Sequence, residues 1–116
     1  MNENASTHRI PRDDWSEFLG TFSRSHRGWP AQLETYDLVT GEKVASREMP
    51  LESIEFDLED EKNPRINVTL QLENKHFKHI LFLPSHLVAE SSSDGRVQSF
   101  HVETLNTQTT LRLRKP

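Results

Sequence analysis

Residues 10–29 read IPRDDWSEFLGTFSRSHRGW, and this stretch predicts a single amphipathic helix. Trp15, Phe18, Leu19 and Phe22 occupy positions i, i+3, i+4 and i+7, a spacing that places side chains on one face of a helix. A stripe this rich in aromatic rings needs an apolar surface to pack against. We therefore predict a helix over residues 11–27 whose aromatic residues pack into the core.

The ends of this helix carry their own signals. Asp14 and Glu17 have the spacing of a capping box, and negative side chains are favoured at the N-terminal end of a helix dipole. Gly28 can adopt the left-handed conformation that ends many helices, and Trp29-Pro30 favours an extended exit. Gly28 and Trp29 are therefore predicted to be structural, with both tryptophans of the chain buried between helix and sheet.

The chain beyond the helix is predicted to form β-strands and turns. Apolar residues alternate strictly with polar ones over residues 66–73, the pattern of a strand with one buried face. Residues 80–83 are apolar on both faces and predict a central strand, whereas residues 91–95 predict a turn. Connections of two to six residues favour antiparallel neighbours, because parallel strands would need crossover helices.

Together these elements predict an α+β domain in which one N-terminal helix packs on an antiparallel sheet of about seven or eight strands. Either an open meander sheet or a partly open barrel fits the pattern. Residues 1–9 are polar and without periodicity, which predicts a disordered tail and leaves residues 10–116 as a single domain.

Composition narrows the class of protein. The chain has 116 residues, a formal net charge of −4 and no cysteine, which excludes disulfides, thiol nucleophiles and cysteine-based zinc sites. No apolar run reaches the roughly 18 residues of a membrane helix, and the N-terminus lacks the apolar stretch of a secretory signal. We expect a cytoplasmic protein without a membrane partner.

Catalytic and metal-binding motifs are not found in the sequence. There is no GxSxG element and no glycine-rich phosphate loop, so we expect neither an enzyme nor a cofactor. A metal site would need His79, His86 or His101 to converge with Glu90 or Glu103 across neighbouring strands. Since the spacing gives no sign of this, no metal is expected.

The basic residues at the end of the helix form the one candidate binding cluster. Arg24 and Arg27 are three residues apart, so on a continuous helix they share a face that could hold an acidic group of a partner, with His26 beside them. The alternative is structural, because cations are favoured at the C-terminal end of a helix dipole. A pI near 5.8 argues against nucleic acid as the partner.

The helix segment also resembles a known family. The resemblance is to the N-terminal signature of a bacterial family of uncharacterised proteins, a domain of unknown function. It is carried by Ile10-Pro11-Arg12, Trp15, Phe18-Leu19, Phe22-Ser23-Arg24, His26 and Gly28-Trp29. A weaker likeness extends over residues 49–51, 84, 94–95 and 110–114. The resemblance implies a bacterial, cytoplasmic setting and supplies neither an activity nor catalytic residues.

The sequence alone therefore leaves the function unknown and favours one hypothesis. That hypothesis is a non-enzymatic, β-rich module that binds a protein partner or a small ligand, with a homodimer as one form of partner. A small enzyme or ligand-sequestering barrel is the first alternative, and a nucleic-acid-associated regulator is the second.

Overall fold

The computed structural model describes residues 6–92 and 97–116. One α-helix and eight strands lie within these residues. In chain order they are β1 (Ser6–Arg9), a short 3-10 helix (Arg12–Asp14), α1 (Trp15–Ser25), β2 (Pro30–Asp37), β3 (Lys43–Asp57), β4 (Arg65–Leu72), β5 (Lys75–Phe82), β6 (His86–Ser91), β7 (Val97–Glu103) and β8 (Thr107–Leu113).

The eight strands form one antiparallel sheet in the order β1-β6-β7-β8-β2-β3-β4-β5. The sheet does not close into a barrel, so the predicted α+β class is confirmed in its open form. The connection from β5 to β6 covers only residues 83–85, which span at most roughly 3.5 Å each. Because that short link joins two strands far apart in the sheet order, the sheet must curl, and the curl creates an inner face.

Strand β3 is 15 residues long and links β2 to β4 in the sheet. Its first part pairs with β2 and its second part with β4, and the register shifts between Leu51 and Ser53. The inner face holds the core, and α1 packs against it over β3. The core residues of the sheet are Ala31, Leu33, Leu51, Ile54, Ile66, Val68, Leu70, Leu81, Leu87, Phe100, Val102, Leu111 and Leu113.

The helix is shorter than its predicted range of 11–27, and its buried stripe is as expected. Trp15 is 2% exposed and Leu19 is 0% exposed, and the Trp15 indole Nε1–H donates to the Ile10 carbonyl at 2.8 Å. Ser23 Oγ accepts a hydrogen bond from the Ile54 backbone at 3.0 Å, which fixes the helix to β3. No helix within the described residues is both long and apolar enough to cross a membrane.

The end of the helix follows the predicted geometry. Gly28 has φ +86°, the left-handed conformation expected of it, and its N–H donates to the Leu51 carbonyl at 2.7 Å. Trp29 is half-buried rather than fully enclosed, so the prediction that both tryptophans are buried holds for Trp15 and only in part for Trp29.

Two strands differ from expectation. Residues 6–9, predicted as part of a disordered tail, form β1, because backbone pairing with β6 stabilises this strand although all four of its residues are exposed. Residues 1–5 of that tail, and most of the turn predicted at 91–95, lie outside the described residues. The prediction of a central strand at 80–83 is wrong: β5 is an edge strand, and Phe82 on its outer face is 59% exposed.

Candidate functional site

A groove of about 700 Å³ runs along one side of α1, between the helix and the start of β7. Its volume lies within the range of small-molecule sites, roughly 300–1,000 Å³. The apolar part of its lining comes from four separate places in the chain: Ile10, Pro11, Phe18, Phe22, Trp29 and Val97.

Aromatic rings form a continuous wall in this groove. The rings of Phe22 and His26 stack with centroids 4.3 Å apart, and His26 meets Trp29 edge-on at 4.6 Å. Phe18 lies 5.9 Å from Phe22, and both contact Phe100 beneath them at 6.4 and 5.2 Å. Since Phe18 and Trp29 are only half-buried, their rings belong to the core on one side and to the groove on the other.

His26 is the titratable ring within this wall. Its Nδ1 lies 2.8 Å from the Phe22 carbonyl oxygen, which can only accept, so Nδ1 carries the hydrogen. In the neutral ring Nε2 is then a hydrogen-bond acceptor, and it has no partner among the described residues. His26 is the one member of the predicted binding cluster that lines the groove.

Two carboxylates lie at the N-terminal end of the groove. Asp14 and Glu17 both line it and both are exposed. The predicted capping box does not form, because a 3-10 turn precedes α1 and Asp14 makes no side-chain capping bond. Among the residues that the structure describes, neither carboxylate has a hydrogen-bond or ion-pair partner. The remaining polar lining residues are Thr21, Ser25 and Gln98.

The two arginines of the predicted cluster lie apart from the groove. Arg24 is exposed in the last turn of α1, and its Nη2 donates to Thr21 Oγ1 at 3.4 Å. The helix ends at Ser25, so Arg27 lies beyond it and the two guanidinium groups do not share a helix face as predicted. Neither arginine lines the groove.

The histidines weighed as metal ligands do not converge. His86 Nδ1 lies 3.3 Å from Glu103 Oε2 across β6 and β7, while Glu90 Oε1 accepts a hydrogen bond from Ser99. His101 lies on β7 and His79 on β5. Within residues 6–92 and 97–116, no three histidine, aspartate or glutamate side chains lie close enough to hold a metal ion.

His79 lies instead in a second, smaller pocket of about 220 Å³ at the other end of the inner face. Its Nε2 is 3.3 Å from Thr35 Oγ1, which is also hydrogen-bonded to Thr109 Oγ1 at 2.7 Å. Burial, and secondarily the nearby Arg47 guanidinium, lower the pKa of His79 below its ordinary value. The His79 ring is therefore neutral at physiological pH.

Sequence reasoning missed the groove and a serine–histidine contact. The sequence pattern predicts Phe18, Phe22 and Trp29 as core residues, and it gives no sign that one side of these rings is left open. The exposed His8 lies on β1 with its Nε2 2.9 Å from Ser91 Oγ, a contact hidden by the prediction that residues 1–9 are a tail. No local pattern links these two residues, which are 83 positions apart.

One helix packed on an open antiparallel sheet defines an α+β domain, and a groove lined by aromatic rings lies beside that helix. The sequence profile of the Family of unknown function (DUF5335) matches residues 6–116, and the chain belongs to that family. The chain is also similar to an "Uncharacterized protein" from Aquifex aeolicus (strain VF5), at 24% identity over 97 residues, 84% of this chain and 81% of the relative. No solved structure matches the chain.

Proposed function

We propose that this protein is a non-enzymatic binding module that takes a small, largely apolar ligand into the groove beside α1. The observation that carries the proposal is the groove itself, whose volume and aromatic wall have the size and chemistry of a ligand site. The half-buried rings of Phe18 and Trp29 would lose their remaining contact with water when such a ligand binds.

The non-enzymatic part of the proposal draws support from the serine–histidine contact. Ser91 is only 4% exposed, and its Oγ also lies 3.1 Å from Ser6 Oγ. Within the described residues, no carboxylate orients His8 as the third member of a catalytic triad would. These contacts are side-chain hydrogen bonds that link β1 to β6.

The other hypotheses from the sequence remain proposals of lower rank. A protein partner or a second copy of the chain would need a surface larger than this groove, and a regulator of nucleic acid would need a basic lining that the described groove residues do not supply. A bacterial setting is supported by the Aquifex aeolicus relative. A cytoplasmic location stays a prediction.

The test measures the fluorescence of a neutral apolar probe, N-phenylnaphthylamine. The probe is excited at wavelengths longer than those that tryptophan absorbs. We expect its emission to rise when it enters the groove. Thr21→Trp should block binding, because Thr21 is exposed on α1 and lines the groove. Ser16→Trp is the matched control, since Ser16 is also exposed on α1 but lies outside the groove lining.

We expect Thr21→Trp to weaken binding about tenfold or more, and Ser16→Trp to change it less than about twofold. Thermal unfolding of both variants checks that each is folded. The proposal is wrong if the unmodified protein does not bind the probe, or if the two variants bind it equally well.

A further inference from the structure

We infer that the groove selects an organic cation, a flat apolar body that carries a protonated amine. This inference rests on the proposed function and adds the charge of the ligand to it. It is carried by three features of the groove: two carboxylates without partners, an aromatic wall, and a lining in which the described residues include no lysine or arginine.

The carboxylates supply the charge that a cation needs. Asp14 and Glu17 lie one turn apart at the start of α1, on the side of the helix that lines the groove. In many helices, carboxylates at these positions cap the helix or form ion pairs. Within the part of the chain that the structure describes, neither Asp14 nor Glu17 does so. An ammonium group at this end of the groove would meet oxygen acceptors that are already exposed.

The aromatic wall favours the same ligand. Faces of Phe and Trp rings carry partial negative charge and attract a cation within about 6 Å, while also packing against its apolar body. Phe18, Phe22 and Trp29 all line the groove.

Three arginines that are close in sequence to groove-lining residues do not oppose this charge selection. Arg24 and Arg27 lie outside the lining, and Arg12 stacks instead on the rings of Trp15 and Phe56, at 4.7 and 5.0 Å from their centroids. An anionic ligand of the same shape would therefore meet Asp14 and Glu17 with no compensating charge from the described lining residues.

The experiment compares three ligands that share a naphthalene ring and differ in charge: naphthylmethylamine, naphthylmethanol and naphthoate. Each is titrated against bound N-phenylnaphthylamine at neutral pH and low salt. We expect the amine to bind about five- to tenfold more tightly than the alcohol, and the carboxylate more weakly than either. In the double variant Asp14→Asn with Glu17→Gln, the advantage of the amine over the alcohol should fall to less than about twofold.

The matched control removes the same formal charge elsewhere. Glu42→Gln with Glu61→Gln neutralises two exposed carboxylates outside the groove lining, and should preserve the preference for the amine. Equal binding of amine and alcohol would overturn the inference while leaving the proposed function intact. Loss of the preference in the control would also overturn it, because long-range charge would then be the cause. Failure of the amine to compete with the bound probe would likewise overturn the inference alone, whereas absence of N-phenylnaphthylamine binding would overturn the proposed function itself.

Discussion

The two ends of the inner face of the sheet are stabilised in different ways. At the helix-covered end, Trp15, Leu19 and Phe22 bury apolar surface against β3 and β7. At the open end, beside β5, Thr35 and Thr109 hydrogen-bond to each other in a buried setting. One continuous face thus changes from hydrophobic burial to hydrogen bonding within the length of its strands.

This difference follows from what covers each end. The helix supplies a second apolar layer, so side chains beneath it need no polar partner. No helix lies over the open end within the described residues, and Arg47 stacks on the Phe77 ring there at 3.6 Å. Truncating a buried apolar side chain should therefore mainly affect the helix-covered end. A change of pH should mainly affect the open end.

The largest effect is expected from truncating the helix-covered end. Leu19→Ala should lower the free energy of unfolding by about 3–5 kcal/mol, because Leu19 is fully buried and a cavity would remain in its place. Leu105→Ala is the matched control, since Leu105 is 93% exposed and should cost less than about 0.5 kcal/mol. Urea denaturation measures both. A cost below about 1 kcal/mol for Leu19→Ala would mean that α1 contributes little to the core.

The helix-covered end was also the more predictable of the two from sequence. The stripe of Trp15, Leu19 and Phe22 is a local pattern, and its periodicity alone identifies the buried face. Residues 66–72 were equally clear, since strict alternation predicts the strand observed as β4. In both cases neighbours in the sequence decide the structure.

Features that depend on distant pairing could not be predicted. Strand β1 has four exposed residues and exists because its backbone pairs with β6, about 80 positions away. The groove combines Ile10, Phe18 and Val97 from three separate segments. For β5, apolar residues on both faces indicated burial, yet Phe82 lies on an outer face that the described residues leave uncovered. Periodicity gives the faces of a strand but not its place in the sheet.

A smaller effect, on pH dependence, is expected at the open end. Burial lowers the pKa of His79 in the folded state, so between this lowered value and about 6.5 the unfolded chain binds more protons than the folded one. The contribution of His79 to stability is therefore present above about pH 6.5 and is lost as the pH falls through the folded pKa. His79→Gln should flatten this dependence, measured as the free energy of unfolding between about pH 5 and 7.

The matched control for this effect is His76→Gln. His76 lies on the same strand but is exposed, with its Nδ1 2.8 Å from Glu52 Oε1. If His76→Gln flattens the acid dependence as much as His79→Gln does, the open end is not the source of the pH response. If neither substitution changes it, other groups control stability in this range.

The smallest effect on stability is expected from the arginines at the end of α1. They lie outside both the helix-covered end and the open end of the inner face. Arg24 is in the last turn of the helix, where a cation interacts favourably with the helix dipole, so Arg24→Ala should cost about 0.3–1 kcal/mol. Arg27 lies beyond the helix and is exposed, so Arg27→Ala should change the stability by less than about 0.5 kcal/mol. Neither substitution should alter binding of N-phenylnaphthylamine, because neither residue lines the groove.

The hypothesis that Arg24, His26 and Arg27 together hold an acidic group of a partner predicts an effect on association instead of on stability. It requires that the unmodified protein associates at low salt and not at high salt. It also requires that the double variant Arg24→Ala with Arg27→Ala melts normally and loses this association. Sedimentation of both proteins at the two salt concentrations, together with their unfolding curves, decides between the two roles, since the helix dipole acts only through Arg24 and partner binding would need both arginines.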